Sequence, residues 1–293
     1  MKIVIAGGTG FIGKYIAERF LENGDNVSVI SRDKNTPGWD KENIISIIEG
    51  SDVLINFAGR NINCRHNKKN KKEILKSRIE TTQILSDAIS KCEAPPNLWL
   101  NASAAGIYSH YVQEPQDENS DLFADDFLSE VVRKWEETFF AQSDLRTRKV
   151  ALRFSVVLGK TGGAFQPLKI LTSLGLGGKQ GSGKQIFSWI HIEDVFQVIL
   201  HIIKNENLNG FINCTSPNPV TNNELMSALR KSLNTKIGIF APKFIIYIGT
   251  WIIGTDPKLI LESSNIIPGK LIDNGFEFKF NTIDSALKNL ILT

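Results

Sequence analysis

The strongest constraint on the fold of this chain is a glycine-rich stretch close to its start, "IVIAGGTGFIGKYIAERF" over residues 3–20. Gly8, Gly10 and Gly13 satisfy G-x-G-x-x-G, and Gly7 with the same two later glycines satisfies G-x-x-G-x-x-G. An apolar strand pattern precedes the loop and a helical pattern follows it. In that context the glycines permit a tight turn and close approach to a pyrophosphate, while the N–H groups that begin the helix attract its phosphates. The residues predicted to contact a dinucleotide here are Gly7, Thr9, Gly10, Phe11, Ile12 and Gly13.

The first half of the chain alternates short apolar runs with longer helical patterns, which is typical of parallel strands joined by crossover helices. The predicted strands are "KIVIAG", "NVSVISR", "DVLINFAG", "LWLNASA" and "KVALRFSVVLG". The predicted helices cover residues 11–24, 71–90 and 127–142. These elements predict the α/β class, with a Rossmann-type doubly wound parallel sheet.

After Gly159 the sequence changes to a polar glycine-rich segment, "GLGGKQGSGKQ", followed by shorter elements separated by prolines. We therefore predict a dinucleotide-binding domain over residues 1–160 and a smaller C-terminal lobe over 161–293 that covers a substrate cleft. The boundary is soft, because late strands of doubly wound folds often return to the main sheet.

Composition narrows the functional classes. A net charge of +3, 42% hydrophobic and 22% charged residues are ordinary for a globular protein. The three cysteines have no C-x-x-C spacing and the histidines no i, i+4 pair, so we expect neither a disulfide framework nor a metal site. The apolar stretch at 244–254 is shorter than the roughly 20 residues that span a bilayer. We expect a cytoplasmic protein with no membrane contact.

Basic residues crowd the segment 60–78, whose stretch "RNINCRHNKKNKKEILKSR" contains no aromatic residue for base stacking. A solvated helix face is the simpler interpretation, so we expect no nucleic-acid partner. Some of these cations are alternatively available to an anionic substrate or to a cofactor phosphate.

The end of the second predicted strand selects the form of the dinucleotide. An acidic residue there binds the ribose 2′-hydroxyl, whereas an arginine accommodates a 2′-phosphate. The strand ends in Ser31 and Arg32, a hydroxyl and a guanidinium that both suit a phosphate. NADP(H) is therefore favoured over NAD(H). Asp33 follows immediately, and its carboxylate could instead bind the ribose hydroxyl.

Several stretches together resemble a known family. They are "GGTGFIG", "SR" at 31–32, "INFAG" at 55–59, "KKEILKSRIETTQIL" at 71–85, "NASAAGIY" at 101–108, "GLGGKQGSGKQIFSWIHIEDV" at 175–195 and "IIPGKLIDNGFEFKF" at 266–280. The chain resembles the extended short-chain dehydrogenase/reductases, and within them the atypical YfcH-like NAD(P)-dependent epimerases with their family-specific C-terminal region. The resemblance covers nearly the whole chain and is more specific for family than for substrate.

The resemblance implies further cofactor contacts. It places the backbone of Phe57, Ala58 and Gly59 beside the adenine ribose and pyrophosphate. It also implies that Ser155 and Val156 pass beside the nicotinamide. Glu73 and Arg78 match positions that line the cofactor. Five residues apart on a helix, they lie about 140° from each other, and Arg78 is the better candidate for direct contact.

The same resemblance raises the question of catalysis. Members of the superfamily generally use a Ser or Thr with a Tyr and a Lys from a Y-x-x-x-K helix, because the Lys lowers the pKa of the Tyr that exchanges the proton. Ser103, at the end of "LWLNASA", is the candidate serine. The corresponding helix, "DDFLSEVVRKWEE", contains no Tyr. Its two slots are Leu128 and Val132, or Ser129 and Arg133 after a shift of one residue.

Two other tyrosines could supply the phenol. Tyr108 and Tyr111 follow Ser103 closely, with Lys134 or Lys184 as possible cations, and lining of a substrate pocket is the alternative role. In "WIHIEDV", we interpret His191 as structural, with substrate contact as the alternative, and expect Asp194 to interact with the first turn of the helix that it enters.

Together these features predict an NADP(H)-dependent oxidoreductase or epimerase that acts on a small hydroxyl or carbonyl compound or on a nucleotide sugar. Ser103 would polarise the substrate oxygen and Tyr108 would donate the proton. The alternative is a non-catalytic NADP(H)-binding sensor or regulatory protein. A homodimer is possible in either case.

Overall fold

The computed structural model describes residues 1–33, 36, 38–110, 114–142 and 146–292. Its strands are β1 (Lys2–Ala6), β2 (Asn26–Ile30), β3 (Val53–Asn56), β4 (Leu98–Ala104), β5 (Arg148–Phe154), β6 (Val156–Gly159), β7 (Gly162–Gly163), β8 (Ile186–Phe187), β9 (Trp189–His191), β10 (Gly210–Cys214) and β11 (Val220–Thr221). Its α-helices are α1 (Phe11–Glu22), α2 (Lys41–Ile48), α3 (Lys68–Ile89), α4 (Phe127–Phe140), α5 (Phe165–Leu171), α6 (Ile192–Lys204), α7 (Asn222–Ser232), α8 (Lys243–Ile253), α9 (Lys258–Leu261), α10 (Gly269–Asp273) and α11 (Ile283–Leu292).

The main sheet has six parallel strands in the order β10-β5-β4-β3-β1-β2. The chain runs outward from β1 to β2 and then crosses back to β3 on the other side of β1. Ligands of doubly wound folds bind where the strand order reverses in this way, outside the carboxyl ends of the strands. The topology therefore places the loops that follow β1 and β3 side by side at a ligand-binding position.

Both faces of the sheet are buried, as expected for parallel strands covered by crossover helices. Ile3 and Ile5 of β1 pack with α1 and α6 on one face, whereas Val4 packs with α2 and α3 on the other. The Rossmann-type α/β prediction is confirmed. Helices α1, α3 and α4 begin within three residues of their predicted starts; α2 was not predicted.

The predicted strand "KVALRFSVVLG" is wrong as a single element. It forms β5 in the main sheet, and after Ser155 the chain leaves that sheet as β6, which pairs with β7 and β9. Separate partners cause the break: the Ser155 N–H donates to the Cys214 carbonyl, and the Val156 N–H donates to that of Ser188. The sixth strand of the main sheet, β10, comes from the segment 161–293.

Candidate cofactor-binding site

The loop after β1 is shaped by contacts that exclude side chains. Gly7 has a φ of +79°, and a Cβ there would lie 2.7 Å from the Ala58 nitrogen, in the turn that follows β3. A Cβ at Gly13 would lie 2.4 Å from the Gly7 carbonyl oxygen. A glycine at Gly7 therefore lets the turn after β3 approach the loop, and a glycine at Gly13 lets helix α1 pack against it. Gly8 serves the sheet instead, because a Cβ there would meet the Val29 side chain.

The start of α1 is open to an anion. Gly10 is the N-cap and supplies no side-chain hydrogen bond, so the first-turn N–H groups lack the usual capping partner. Thr9 and Gly10 are exposed. Phe11 and Ile12 face the interior, and the Phe11 ring occupies the space that a Cβ on Gly159, Gly162 or Gly163 would need. A glycine loop with an uncapped, half-positive helix end fits a pyrophosphate.

The turn after β3 is held by Asn56. Its side-chain oxygen accepts a hydrogen bond from the Ala58 N–H at 3.0 Å, and its amide donates to the Asn101 side chain on β4 at 2.7 Å. Asn56 is fully buried. It fixes the Phe57, Ala58 and Gly59 backbone against Gly7, which is how the predicted contacts come together. A buried polar residue that ends an apolar strand is the sequence signal for this role.

Arg78 of α3 lies beside that turn. A Cβ on Gly59 would lie 3.5 Å from the Arg78 guanidinium carbon, so the two are in contact. The guanidinium donates to the carbonyls of Arg60 and Ile74 and lies over the Trp135 ring at 5.1 Å. Within the described residues no carboxylate forms an ion pair with it. Burial lowers the pKa of Arg78 to about 10, because the charge is desolvated without a counter-ion.

Glu73, also predicted at the cofactor, forms an ion pair with Arg60. Glu73 lies five residues before Arg78 on α3, and its pairing removes Arg60, in the loop after β3, from the free cations near the site. Ser155 and Val156 lie at the carboxyl end of β5, both partly exposed, where the main sheet gives way to β6.

The end of β2 presents a serine and an arginine in different ways. Ser31 is 3% exposed; its hydroxyl accepts from the Asp33 N–H at 2.9 Å and lies 2.8 Å from the Thr36 hydroxyl. Arg32 is exposed and makes no ion pair within the described part of the chain. The Ser31 hydroxyl therefore shapes the turn, and the Arg32 guanidinium remains available for a 2′-phosphate.

The two candidate catalytic hydroxyls lie in one buried polar network. Ser103 donates to Glu136 Oε1 of α4 at 2.6 Å. Arg153 of β5 holds both oxygens of that carboxylate, with Nε and Nη2 each at 2.8 Å. The remaining guanidinium nitrogen, Arg153 Nη1, donates to the Tyr108 hydroxyl at 2.8 Å, and that hydroxyl donates in turn to Asn213 Oδ1 at 3.0 Å.

All members of this network are nearly inaccessible, with exposures of 1% for Tyr108, 3% for Arg153 and 6% for Glu136. Burial raises the pKa of the Tyr108 phenol, while the neighbouring Arg153 opposes that shift. The phenolic proton is directed at Asn213. The proton-donor role predicted for Tyr108, and the substrate contact predicted for Ser103, stay predictions. Tyr111, the other candidate phenol, lies outside the described residues.

Glu136 and Arg153 are the residues at this edge that sequence reasoning missed. The signal was present in β5, where a charged residue continues the apolar run "KVALRF". A buried arginine in a central strand requires a carboxylate partner, and Glu136 is the one that α4 supplies.

The segment at 191–194 makes structural contacts, but those of Asp194 differ from the predicted contact with the first turn of its own helix. His191 is the N-cap of α6, and its Nδ1 accepts from the Glu193 N–H at 3.0 Å. Asp194 accepts from the backbone N–H groups of Lys279 and Phe280 at 2.8 and 3.1 Å, which attaches the C-terminal segment to α6.

Within the described ranges, His110, Asp126 and Glu262 are the one group of three potential metal ligands whose ligand atoms lie within 4.8 Å of one another. The pKa of His110 is raised, chiefly by its interaction with Asp126. An imidazolium between two carboxylates accounts for this group without a metal.

The fold and the glycine loop define the class as a nucleotide-binding α/β protein of the dehydrogenase type. Residues 3–214 match the family model "NAD dependent epimerase/dehydratase family", and 241–290 match "Domain of unknown function (DUF1731)". The chain belongs to the NAD-dependent epimerase/dehydratase family, as the resemblance to an atypical epimerase family with a C-terminal region predicted.

Relatives match over the whole length. The human epimerase family protein SDR39U1 is 34% identical over 298 residues, covering 99% of this chain and 100% of the relative. The epimerase family protein SERP0438 of Staphylococcus epidermidis is 32% identical and covers 99% of both chains. A crystal structure of human SDR39U1 (isoform 2) with NADPH superposes with a TM-score of 0.91 at 32% identity, covering 100% of both chains.

A more distant solved structure, the nucleoside-diphosphate sugar epimerase from Corynebacterium glutamicum, has a TM-score of 0.79 at 28% identity. The match covers 99% of this chain and 57% of the Corynebacterium chain. In the part of the chain that the structure describes, no helix combines the length and apolarity needed to cross a bilayer.

Proposed function

We propose that this chain binds NADP(H) at the carboxyl edge of its main sheet and uses it as an oxidoreductase or epimerase on a small compound with a hydroxyl or carbonyl group. The observation that carries the cofactor assignment is Arg78, a partly buried guanidinium beside the turn after β3 that has no carboxylate partner among the described residues. The human relative with a TM-score of 0.91 was crystallised with NADPH, which supports the same cofactor here.

In this proposal the first turn of α1 holds the pyrophosphate and the Arg32 guanidinium holds the 2′-phosphate. Arg78 supplies the positive charge that the turn after β3 lacks. Bound NADP(H) supplies or accepts a hydride at the carbon that carries the substrate oxygen. Ser103 takes the place of the superfamily serine. Its hydroxyl must rotate away from Glu136 before it can donate to that oxygen.

A second function is favoured by the buried network. The hydroxyls of Ser103 and Tyr108 already have partners, and α4 contains no Tyr and carries its Lys134 outside the predicted slots of the superfamily helix. A protein that binds NADP(H) and signals its occupancy to a partner needs no proton donor. Either function fits a cytoplasmic protein that meets its cofactor in solution.

A turnover screen separates the two functions. Purified protein saturated with NADPH is offered carbonyl compounds and nucleotide sugars, and cofactor oxidation and sugar products are measured. Turnover that falls at least a hundredfold in Ser103→Ala supports the enzyme. The matched control is Ser86→Ala, which removes another hydroxyl donated to a side chain, at 2.8 Å to Gln142 and away from the site.

Tight NADPH binding with no turnover of any compound would favour the sensor. Absence of NADPH binding by the folded protein would overturn both proposals.

A further inference from the structure

Helix α8 is apolar on nearly every side, yet it buries little. Its sequence is "KFIIYIGTWII", and only Ile246 and Thr250 are buried. Trp251, Ile252 and Ile253 are 68%, 69% and 72% exposed. The other exposed large apolar residues of this helix are Phe244, Ile245, Tyr247 and Ile248. A helix that is hydrophobic all round requires a partner or an apolar medium on its free side.

Two neighbouring segments extend this surface. The exposed residues Ile170, Leu171, Leu174 and Leu176 come from the end of α5 and the turn after it, and Ile237, Ile239 and Phe240 come from the strand-like segment before α8. The two segments are hydrogen-bonded: the Ile239 N–H donates to the Gly175 carbonyl at 2.9 Å, and the Gly178 N–H donates to the Ile239 carbonyl at 3.2 Å.

We call these three groups together the apolar face. Monomeric proteins leave contiguous apolar patches of roughly 300–600 Å² exposed at most, and fourteen large apolar side chains in adjacent segments mark an interaction surface.

The charges in the same segments indicate what kind of partner binds the apolar face. Residues 160–192 contain four lysines and no acidic residue, and residues 225–255 contain three lysines and one arginine with no acidic residue. Lys179 lies over the Phe240 ring at 5.1 Å, and exposed Lys243 begins α8. Lys231 is excluded from this set because it pairs with Asp284. The apolar face is therefore flanked by cations without compensating carboxylates in its own segments.

A second copy of the chain would bring these like charges together across a two-fold interface, which is unfavourable. An anionic lipid surface accepts both features. Aliphatic side chains enter the boundary between headgroups and acyl chains, tryptophan and tyrosine lie at the headgroup level, and lysines contact the acidic headgroups.

We propose that the apolar face binds the surface of anionic membranes, with α8 lying in the plane of the interface. At eleven residues, or about 16 Å, α8 is too short to cross the bilayer, so the attachment is peripheral. The proposal departs from the sequence-based expectation of no membrane contact, which rested on the absence of a spanning segment. It is independent of the proposed enzymatic function.

Vesicle flotation with the full chain tests the proposal. We expect the protein to float with vesicles of equal parts phosphatidylglycerol and phosphatidylcholine, and to remain in solution with phosphatidylcholine alone. Ile248→Glu with Ile252→Glu should abolish flotation. The matched control, Leu21→Glu, adds a carboxylate at another exposed leucine, on α1, and should float normally. Lys179→Gln and Lys243→Gln should each weaken binding to anionic vesicles about fivefold.

Tryptophan fluorescence gives a second readout. Of the five tryptophans, Trp99, Trp135 and Trp189 are buried, Trp39 is half-buried and Trp251 is exposed. Anionic vesicles should shift the emission to shorter wavelength, and Trp251→Phe should remove the shift while the protein still floats.

Three results would overturn the proposal. The first is no flotation with either vesicle, including the case where sedimentation shows a dimer that Ile252→Glu dissociates, because a second copy would then cover the face. The second is equal flotation with phosphatidylcholine alone. The third is an equal loss of flotation in Leu21→Glu.

Discussion

Two arginines near the carboxyl edge of the sheet differ in their partners and in how far they are withdrawn from solvent. Arg153 is 3% exposed and holds the Glu136 carboxylate with two hydrogen bonds of 2.8 Å. Arg78 is partly exposed, and among the described residues its donors meet only backbone carbonyls. The first charge is neutralised inside the protein, and the second is not.

This difference separates a structural charge from a binding charge. Withdrawing a guanidinium from water costs free energy unless it is paired, so leaving the partly buried Arg78 without a carboxylate reduces the stability of the chain at that position. An anion beside Gly59 would recover that free energy as affinity. The paired arginine of β5 instead contacts α4, the helix that corresponds to the superfamily's catalytic helix, and together with Glu136 it holds the hydroxyls of Tyr108 and Ser103 in place.

The largest effect should come from breaking the paired charge. Glu136→Gln leaves Arg153 buried without its carboxylate and should lower the free energy of unfolding by about 3 to 5 kcal/mol, measured by urea denaturation. Glu130→Gln on the same helix is the control, because it breaks the exposed pair with Lys134 and should leave unfolding nearly unchanged. The double variant Glu136→Leu, Arg153→Met should be more stable than Glu136→Gln, since it leaves no unpaired charge; a further loss would contradict this reading.

A buried carboxylate extends the comparison to pH. Asp194 has no ion pair among the described residues, and burial raises its pKa to about 6; burial lowers the pKa of neighbouring His191 to about 4. On acidification from about pH 6 to 4, Asp194 binds its proton earlier in the folded state and raises stability. His191 binds its proton earlier in the unfolded state and lowers stability.

The two contributions nearly cancel, so together these two groups should change the free energy of unfolding little over this range. Relative to the wild-type protein, His191→Asn, which keeps a capping side chain, should gain about 2 to 3 kcal/mol on acidification, and Asp194→Asn should lose a similar amount. Urea denaturation at a series of pH values measures both slopes. Slopes of the same sign in the two variants would show that one of the assigned shifts is wrong.

Replacing Arg32, the exposed arginine of the site, should have a smaller effect, which is selective for NADPH over NADH. Arg32→Ala should weaken NADPH binding by about 1.5 to 3 kcal/mol, the value of a hydrogen bond to a charged group, and leave NADH binding nearly unchanged. Fluorescence titration with both cofactors measures the difference. An equal loss for NADPH and NADH would show that Arg32 does not contact the 2′-phosphate.

The sequence predicted the parts of this molecule that local chemistry determines. The glycine loop requires a strand before it and a helix after it, so β1 and α1 followed from one stretch. The break at Ser155 was missed because the apolar run continues through it, and only the pairing of β6 with β9 separates it from β5.

Contacts between distant segments were the least predictable. Glu73 was placed at the cofactor by the resemblance, yet in the structure its partner is Arg60, and that pairing depends on how the loop after Gly59 folds back on α3. The partnership of Glu136 with Arg153 likewise joins a helix to a strand that no sequence spacing connects. The apolar face of α8 was visible only as a short apolar run, because the sequence does not show which residues a helix leaves uncovered.

The most direct test of the account compares Arg78→Met with the wild-type protein in an NADPH titration, with the stability of the cofactor-free protein measured in parallel. We predict that the dissociation constant for NADPH rises at least tenfold, about 1.4 kcal/mol, while the free energy of unfolding stays the same or increases. Unchanged NADPH affinity, or a loss of stability as large as that of Glu136→Gln, would contradict the claim that the unpaired arginine is the cofactor-binding charge.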